Sequence, residues 1–138
     1  RFDEFVELQK RTLKNAACFA SEFKRRGYRL VSDGTDNHLV LIDLRSTGLT
    51  GALAEKLLES VGIIVNRNVI PGDPERPELT SGIRIGSPAI STRGMAEPEV
   101  QQIVRIMDAA MSNNEDSQIL GQVANEVKDL CKKFPIPK

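Results

Sequence analysis

Apolar residues recur at helical spacing from the start of the chain. Phe2, Phe5, Val6, Leu13, Ala16, Ala17, Ala20 and Phe23 define one stripe, and Gly27 follows Lys24-Arg25-Arg26. This pattern predicts a long helix over 2–26. The basic triplet then sits at a helix C-terminus, where cations are favoured; a binding patch is the other reading. Tyr28 to Val31 predicts a short strand, and Asp33-Gly34-Thr35-Asp36-Asn37 has the composition of a turn. His38 to Leu44 is the most strand-like run. Its continuous apolar stretch, Leu39 to Ile42, predicts a central strand covered on both faces.

Thr50 is placed to cap a second helix with the apolar face Leu53, Ala54, Leu57, Leu58 and Val61, and Gly62 lies just beyond its end. The β-branched run Ile63-Ile64-Val65 predicts a third strand. Asn66, Arg67 and Asn68 follow, leading into a long loop with prolines at 71, 74 and 77. Loops of this length inside a domain are functional or disordered, and the proline content favours an ordered one. Ile83-Arg84-Ile85, between Gly82 and Gly86, predicts the fourth strand. Two helices close the chain. The first has Pro98 in its opening turn, with Val100, Ile103, Val104, Met107, Ala110 and Met111 inward. Ser112-Asn113-Asn114 interrupts the pattern. The second runs from about Asp116, with Ile119, Val123, Val127, Leu130 and Phe134 on one face, until Pro135. Met107 and Met111 read as core filler.

The predicted order is helix, strand, strand, helix, strand, strand, helix, helix. It implies an α+β fold: a two-layer domain in which helices cover a small, mostly antiparallel sheet. At 138 residues, 1–138 is one domain. The chain opens on Arg1 directly into the helical pattern, which suggests a piece of a longer polypeptide.

Charge and composition narrow the function. Nineteen basic residues balance nineteen acidic ones and aromatics are 4%, so neither a nucleic-acid binder nor an anionic-membrane binder is expected. No apolar run approaches the ~20 residues of a membrane span. Cys18 and Cys131 both fall at apolar helix positions; buried thiols in a reducing compartment are expected over a disulfide.

Candidate chemistry is sparse. His38 is the one histidine and has no partner at ligand spacing, so no metal site is expected. No serine is linked to it by a nucleophile signature, and a structural histidine is the plainer reading. No glycine-rich phosphate loop is present. Arg84 differs. A guanidinium inside a short apolar strand is costly to bury unless paired, and flanking glycines let a ligand approach closely. Two readings stand: an anchor for a carboxylate ligand, which the guanidinium fork suits, or a structural salt bridge. Asn66 and Asn68 offer amide donors and acceptors suited to a heterocycle edge. Residues that satisfy loop backbone are the plainer reading.

At these residues the sequence resembles the serine hydroxymethyltransferases, pyridoxal-phosphate enzymes that interconvert serine and glycine with tetrahydrofolate. The resemblance runs through Gly34-Thr35-Asp36-Asn37-His38, Gly48-Leu49-Thr50-Gly51, Val65-Asn66-Arg67-Asn68, Thr80-Ser81-Gly82-Ile83-Arg84-Ile85-Gly86, Pro88-Ala89 and Thr92-Arg93-Gly94, in the family's order. It implies the C-terminal small domain of a fold-type I pyridoxal-phosphate transferase. The large domain, which in the family carries the Schiff-base lysine and the acid/base residues, is not recognisable here. By resemblance, Arg84 grips the α-carboxylate of serine or glycine, and Asn68 hydrogen-bonds the folate pterin ring. Arg67 stands where the family commonly has lysine, and Glu78 where it commonly has phenylalanine. The resemblance further implies pyridoxal 5'-phosphate held by the large domain and tetrahydrofolate as co-substrate. It implies no catalytic residue in this piece, which alone is expected to be inactive. A homo-oligomer, dimer or tetramer, and a cytoplasmic location are also implied, or an organellar one if a transit peptide precedes.

Three other readings compete. A stand-alone amino-acid-binding or regulatory module would use Arg84 in the same way. The small domain of a different pyridoxal-phosphate enzyme would share the arginine without needing Val-Asn-x-Asn. An interaction protein would need an apolar patch that the sequence does not advertise.

Overall fold

A computed structural model describes residues 2–31, 39–86 and 94–135. Among them are helices α1 (Phe2–Arg25), α2 (Gly51–Ser60), α3 (Glu97–Ser112) and α4 (Ser117–Lys133). The strands are β1 (Arg29–Leu30), β2 (Leu39–Asp43), β3 (Asn66–Asn68) and β4 (Gly82–Gly86), and a 3-10 turn spans Arg45–Thr47. The strands form one antiparallel sheet in the order β1-β2-β4-β3. The two-layer α+β expectation is met. The turn at 33–37, His38 and the motifs at Pro88–Ala89 and Thr92–Arg93 lie outside the described residues.

One face of the sheet is the core. Val40, Ile42, Ile83 and Ile85 are buried there together with Phe19 and Phe23 of α1, Ala54 and Leu58 of α2, and Val100, Val104 and Met107 of α3. Burying one such large side chain contributes about 1.5–3 kcal/mol. Val123, Val127 and Leu130 of α4 join the same cluster, and α4 packs on α3. Met107 and Met111 are buried, as their helical spacing implied.

Local signals account for the helix ends. Gly27 adopts φ +89°, which lets the Tyr28 N–H return to the Phe23 carbonyl at 3.0 Å and close α1. The Thr50 hydroxyl accepts from the Leu53 N–H at 3.2 Å, and Asp116 caps α4 at the N–H groups of Gln118 and Ile119. Two of the basic triplet make ion pairs: Arg25 with Glu22 on the same helix at 2.6 Å, and Arg26 with Asp108 of α3 at 3.0 Å.

Four expectations need correction. The third strand is Asn66–Asn68, not Ile63–Val65. Gly62 at φ +96° and the Ile63 N–H to Leu58 carbonyl bond use those residues to leave α2, so the chain reaches β4 only at Asn66. β2 is central but covered on one face. Val40 and Ile42 are buried, whereas Leu41 alternates onto the other side and is half-exposed. The apolar stripes of two helices overshoot the core: Phe2, Phe5 and Leu13 of α1 and Leu53 of α2 are exposed. Cys131 is exposed and Cys18 half-buried, both as free thiols. Cys131 follows Leu130 by one residue, about 100° around the helix, and so leaves the buried stripe.

The helical layer is locked to the sheet at the start of α2. The Gly51 and Ala52 N–H groups donate to the carbonyls of Thr80 and Leu79 at 3.0 and 2.9 Å. These are first-turn donors with no partner inside the helix. A Cβ on Gly51 would collide with Thr80 Oγ1 and the Gly82 carbonyl oxygen, and one on Gly82 would meet Ile70 Cγ2 at 2.6 Å. Both glycines are therefore required by close approach of backbone. Gly51→Ala should cost about 1–3 kcal/mol, towards the upper end because backbone must move. Chemical denaturation of the two chains side by side measures this.

The loop between β3 and β4 is tied by Asp73. Its carboxylate accepts from the N–H groups of Ile70 (3.2 Å), Glu75 (2.9 Å) and Ser81 (2.8 Å), and from the Ser81 hydroxyl (2.7 Å). Desolvation would raise this carboxyl, but the hydrogen bonds from Glu75, Ser81 and Ile70 outweigh it and hold the group at about 2. An unfolded aspartate titrates near about 3.9. The stabilisation is thus present in full above about pH 4 and is lost as pH falls through about 2. Thermal melts between pH 4 and 2 should show the native chain losing stability more steeply than Asp73→Asn.

Candidate functional site

The face of the sheet opposite the core carries the candidate residues. Directly opposed residues of antiparallel strands share a face, so the register defines two rows. One row is Leu41, Arg84 and Asn66; the next is Arg29, Asp43, Gly82 and Asn68. Arg84 and Asn66 are exposed, and Asn68 is half-buried. Ile70, 2% exposed, folds over the Gly82 end of this face.

Arg84 stands on that face without an ion-pair partner among the described residues. The sequence left a structural salt bridge open for this residue, and the described residues supply none. Its orientation follows from strand alternation: Ile83 and Ile85 point into the core, so Arg84 points away from it. Asn68 is a diagonal neighbour of Arg84, about 7–8 Å away by strand geometry. Its amide N–H₂ donates to the adjacent Val69 carbonyl at 2.9 Å. Asn66 is directly opposite Arg84. The sequence offered Asn66 and Asn68 as a pair, and the register is what makes Asn66 the nearer of the two.

Arg67 belongs to the other side. It is opposed to Ile83, its backbone N–H donates to Glu55 Oε2 at 3.1 Å, and its Nη1 donates to Glu55 Oε1 at 3.2 Å. The pair ties β3 to α2 and occupies an outward N–H of the edge strand. Glu78 is exposed on the loop.

Beside the second row lies an open cleft of ≈ 690 Å³ lined by residues that include Lys24, Tyr28, Arg29, Asp43, Arg45 and Ile70. Arg84 does not line it. The Arg45 guanidinium grips Asp43 through contacts of 2.8–3.2 Å, and these bonds hold the Asp43 carboxyl below the usual carboxylate range. Burial pushes the Tyr28 phenol up, aided by its 2.7 Å bond to Asp108. The cleft's carboxylate and one of its guanidiniums are therefore occupied with each other.

Among the described residues, no three histidine, cysteine, aspartate or glutamate side chains are grouped to hold a metal ion. No helix among the described residues is long and apolar enough to cross a membrane. A pyridoxal-phosphate Schiff base needs an amine desolvated in a pocket, and every described lysine is exposed. The described residues therefore do not fit the covalent seat of that cofactor. They do fit a carboxylate: a forked cation on a rigid strand, with amides on the neighbouring strand. Asp73 and Thr80, which hold this strand from the loop, have no signature in the sequence beyond turn-forming composition.

A family model described as serine hydroxymethyltransferase matches residues 1–107 of the 138. The match takes in both rows of the open face and the whole loop that supports them. The chain belongs to the serine hydroxymethyltransferase family.

Proposed function

We propose that this chain is the substrate-anchoring small domain of a serine hydroxymethyltransferase, which interconverts serine and glycine with tetrahydrofolate. The observation that carries this reading is Arg84: exposed, without an ion-pair partner among the described residues, and fixed on a strand. In the proposed role its guanidinium donates two N–H bonds to the amino acid's α-carboxylate, a two-point grip. That grip fixes the orientation of the bonds at the α-carbon, which a point contact would leave free to rotate. Asn68 contributes a hydrogen bond to the folate pterin ring, and Asn66 borders the carboxylate position.

Pyridoxal phosphate, when bound, supplies an electron sink for the bond that is broken. Holding it falls to a large domain, since the described residues of this chain offer no desolvated amine. The chain alone is accordingly expected to be inactive. The enzyme is expected to be a dimer or tetramer, and cytoplasmic unless a transit peptide directs it elsewhere.

In the full-length enzyme, Arg84→Ala should raise the KM for glycine on the order of a hundredfold, given about 1.5–3 kcal/mol for each charge-assisted bond lost. An unchanged KM would remove the anchor assignment. Arg84→Lys should recover little, because an ammonium cannot reproduce the fork. Asn68→Ala should weaken tetrahydrofolate binding about fivefold, the value of one ordinary hydrogen bond, and leave glycine affinity close to native. Calorimetry of glycine with the 138-residue chain alone addresses the binding-module reading. Tight binding without any cofactor would favour that module over the enzyme.

A further inference from the structure

Two residues before β4 the chain passes through a strained residue. Thr80 has φ +58°, the one described non-glycine residue with positive φ, and it is 3% exposed. A β-branched side chain is rarely tolerated there, and such strain persists only where the surroundings over-determine it. Here they do. The Thr80 N–H donates to the Arg76 carbonyl at 3.0 Å, its carbonyl accepts from Gly51, and its hydroxyl donates to the Gly82 carbonyl at 3.2 Å. Ser81 is held equally closely. Its N–H and hydroxyl donate to Asp73, and its carbonyl accepts from the Leu44 N–H at 2.8 Å.

Arg84 lies three residues beyond Ser81, about 10 Å along the strand. Among the described residues these bonds, with that of Ala52 N–H to the Leu79 carbonyl, fix the chain as it enters β4 from a proline-rich loop. The ladders with β2 and β3 hold the edges of the strand, and the clamp fixes its start, so loosening it would let the Gly82 end shift and carry the guanidinium with it. We infer that Asp73 and Thr80 are positioning residues for Arg84, clamping the start of β4 so that the guanidinium meets a substrate carboxylate at one fixed place. The inference rests on the carboxylate-anchor role given to Arg84 above. Neither residue touches the substrate in this scheme. Asp73 acts through Ser81, and Thr80 through the backbone of Gly82 and Gly51.

The test is glycine binding to the full-length enzyme by calorimetry, with Asp73→Asn and Ser81→Ala each made in the native and in the Arg84→Ala background. Thermal melts establish that each variant is folded. In the native background Asp73→Asn should raise the glycine Kd about tenfold, within the hundredfold that a 1 Å displacement can cost. Ser81→Ala, which removes one bond of the clamp, should raise it by a smaller factor. In the Arg84→Ala background neither change should alter Kd by more than about twofold, because its route of action is gone. Equal weakening in both backgrounds would reduce the clamp to general structural support, and native affinity in both variants would overturn the inference. Should Asp73→Asn fail to fold, Ser81→Ala makes the same comparison. If Arg84→Ala itself leaves glycine binding unchanged, the anchor reading fails first, and this inference falls with it.

Discussion

The fold depends on a backbone contact with no room for a side chain. At Gly51 the first turn of α2 lies against Thr80 and Gly82, so that main-chain hydrogen bonds join helix and strand in addition to the core packing of Ala54 and Leu58. Two consequences follow. The N–H groups that a helix start leaves unsatisfied are absorbed by the carbonyls of Leu79 and Thr80. The position of β4 is then set by the position of α2, which is itself anchored by Ala54 and Leu58 in the core. Packing energy from the buried face reaches Arg84 through hydrogen bonds of 2.9 and 3.0 Å.

The sheet is one-sided, and that asymmetry leaves the face that carries Arg84 uncovered by a helix among the described residues. Every inward position of β2 and β4 is aliphatic, while the outward positions of β4 are glycine, arginine and glycine. Glycines on either side of Arg84 remove the neighbouring side chains that would otherwise crowd the guanidinium. They also weaken the strand, since glycine loses more conformational freedom on ordering than any other residue. The Asp73 clamp at one end and the β2 and β3 ladders on both edges offset that weakness.

Much of this was legible before the structure. The helices followed from their apolar period and from Thr50, Gly27 and Asp116 at their ends, signals that act within one turn. Arg84 stood out because a charge in an apolar strand demands a reason. What was not legible depended on pairing. Ile63-Ile64-Val65 has the better strand composition, yet Asn66-Arg67-Asn68 makes the ladder, because only there does the chain come alongside β4. Leu39 to Ile42 reads as covered on both sides, and no local signal reports that one side carries Arg84 in place of a helix. The strain at Thr80 was equally hidden. Threonine has no local preference for φ +58° and takes it only because Arg76, Gly51 and Gly82 hold its three polar groups.

The period of two in β3 also divides labour within three residues. Asn66 and Asn68 face the open side with Arg84, while Arg67 faces α2 and grips Glu55 through both backbone and side chain. Exchanging one cation for another at 67 therefore bears first on how β3 is tied to α2, and only through that tie on the amides. One guanidinium nitrogen of Arg67 and its own backbone N–H take the two oxygens of Glu55 separately. The polar groups of the open face thus come from residues 66, 68 and 84, and residues 55, 67 and 73 tie the backbone that carries them. The two sets are separated by strand pleat and loop rather than by distance along the chain.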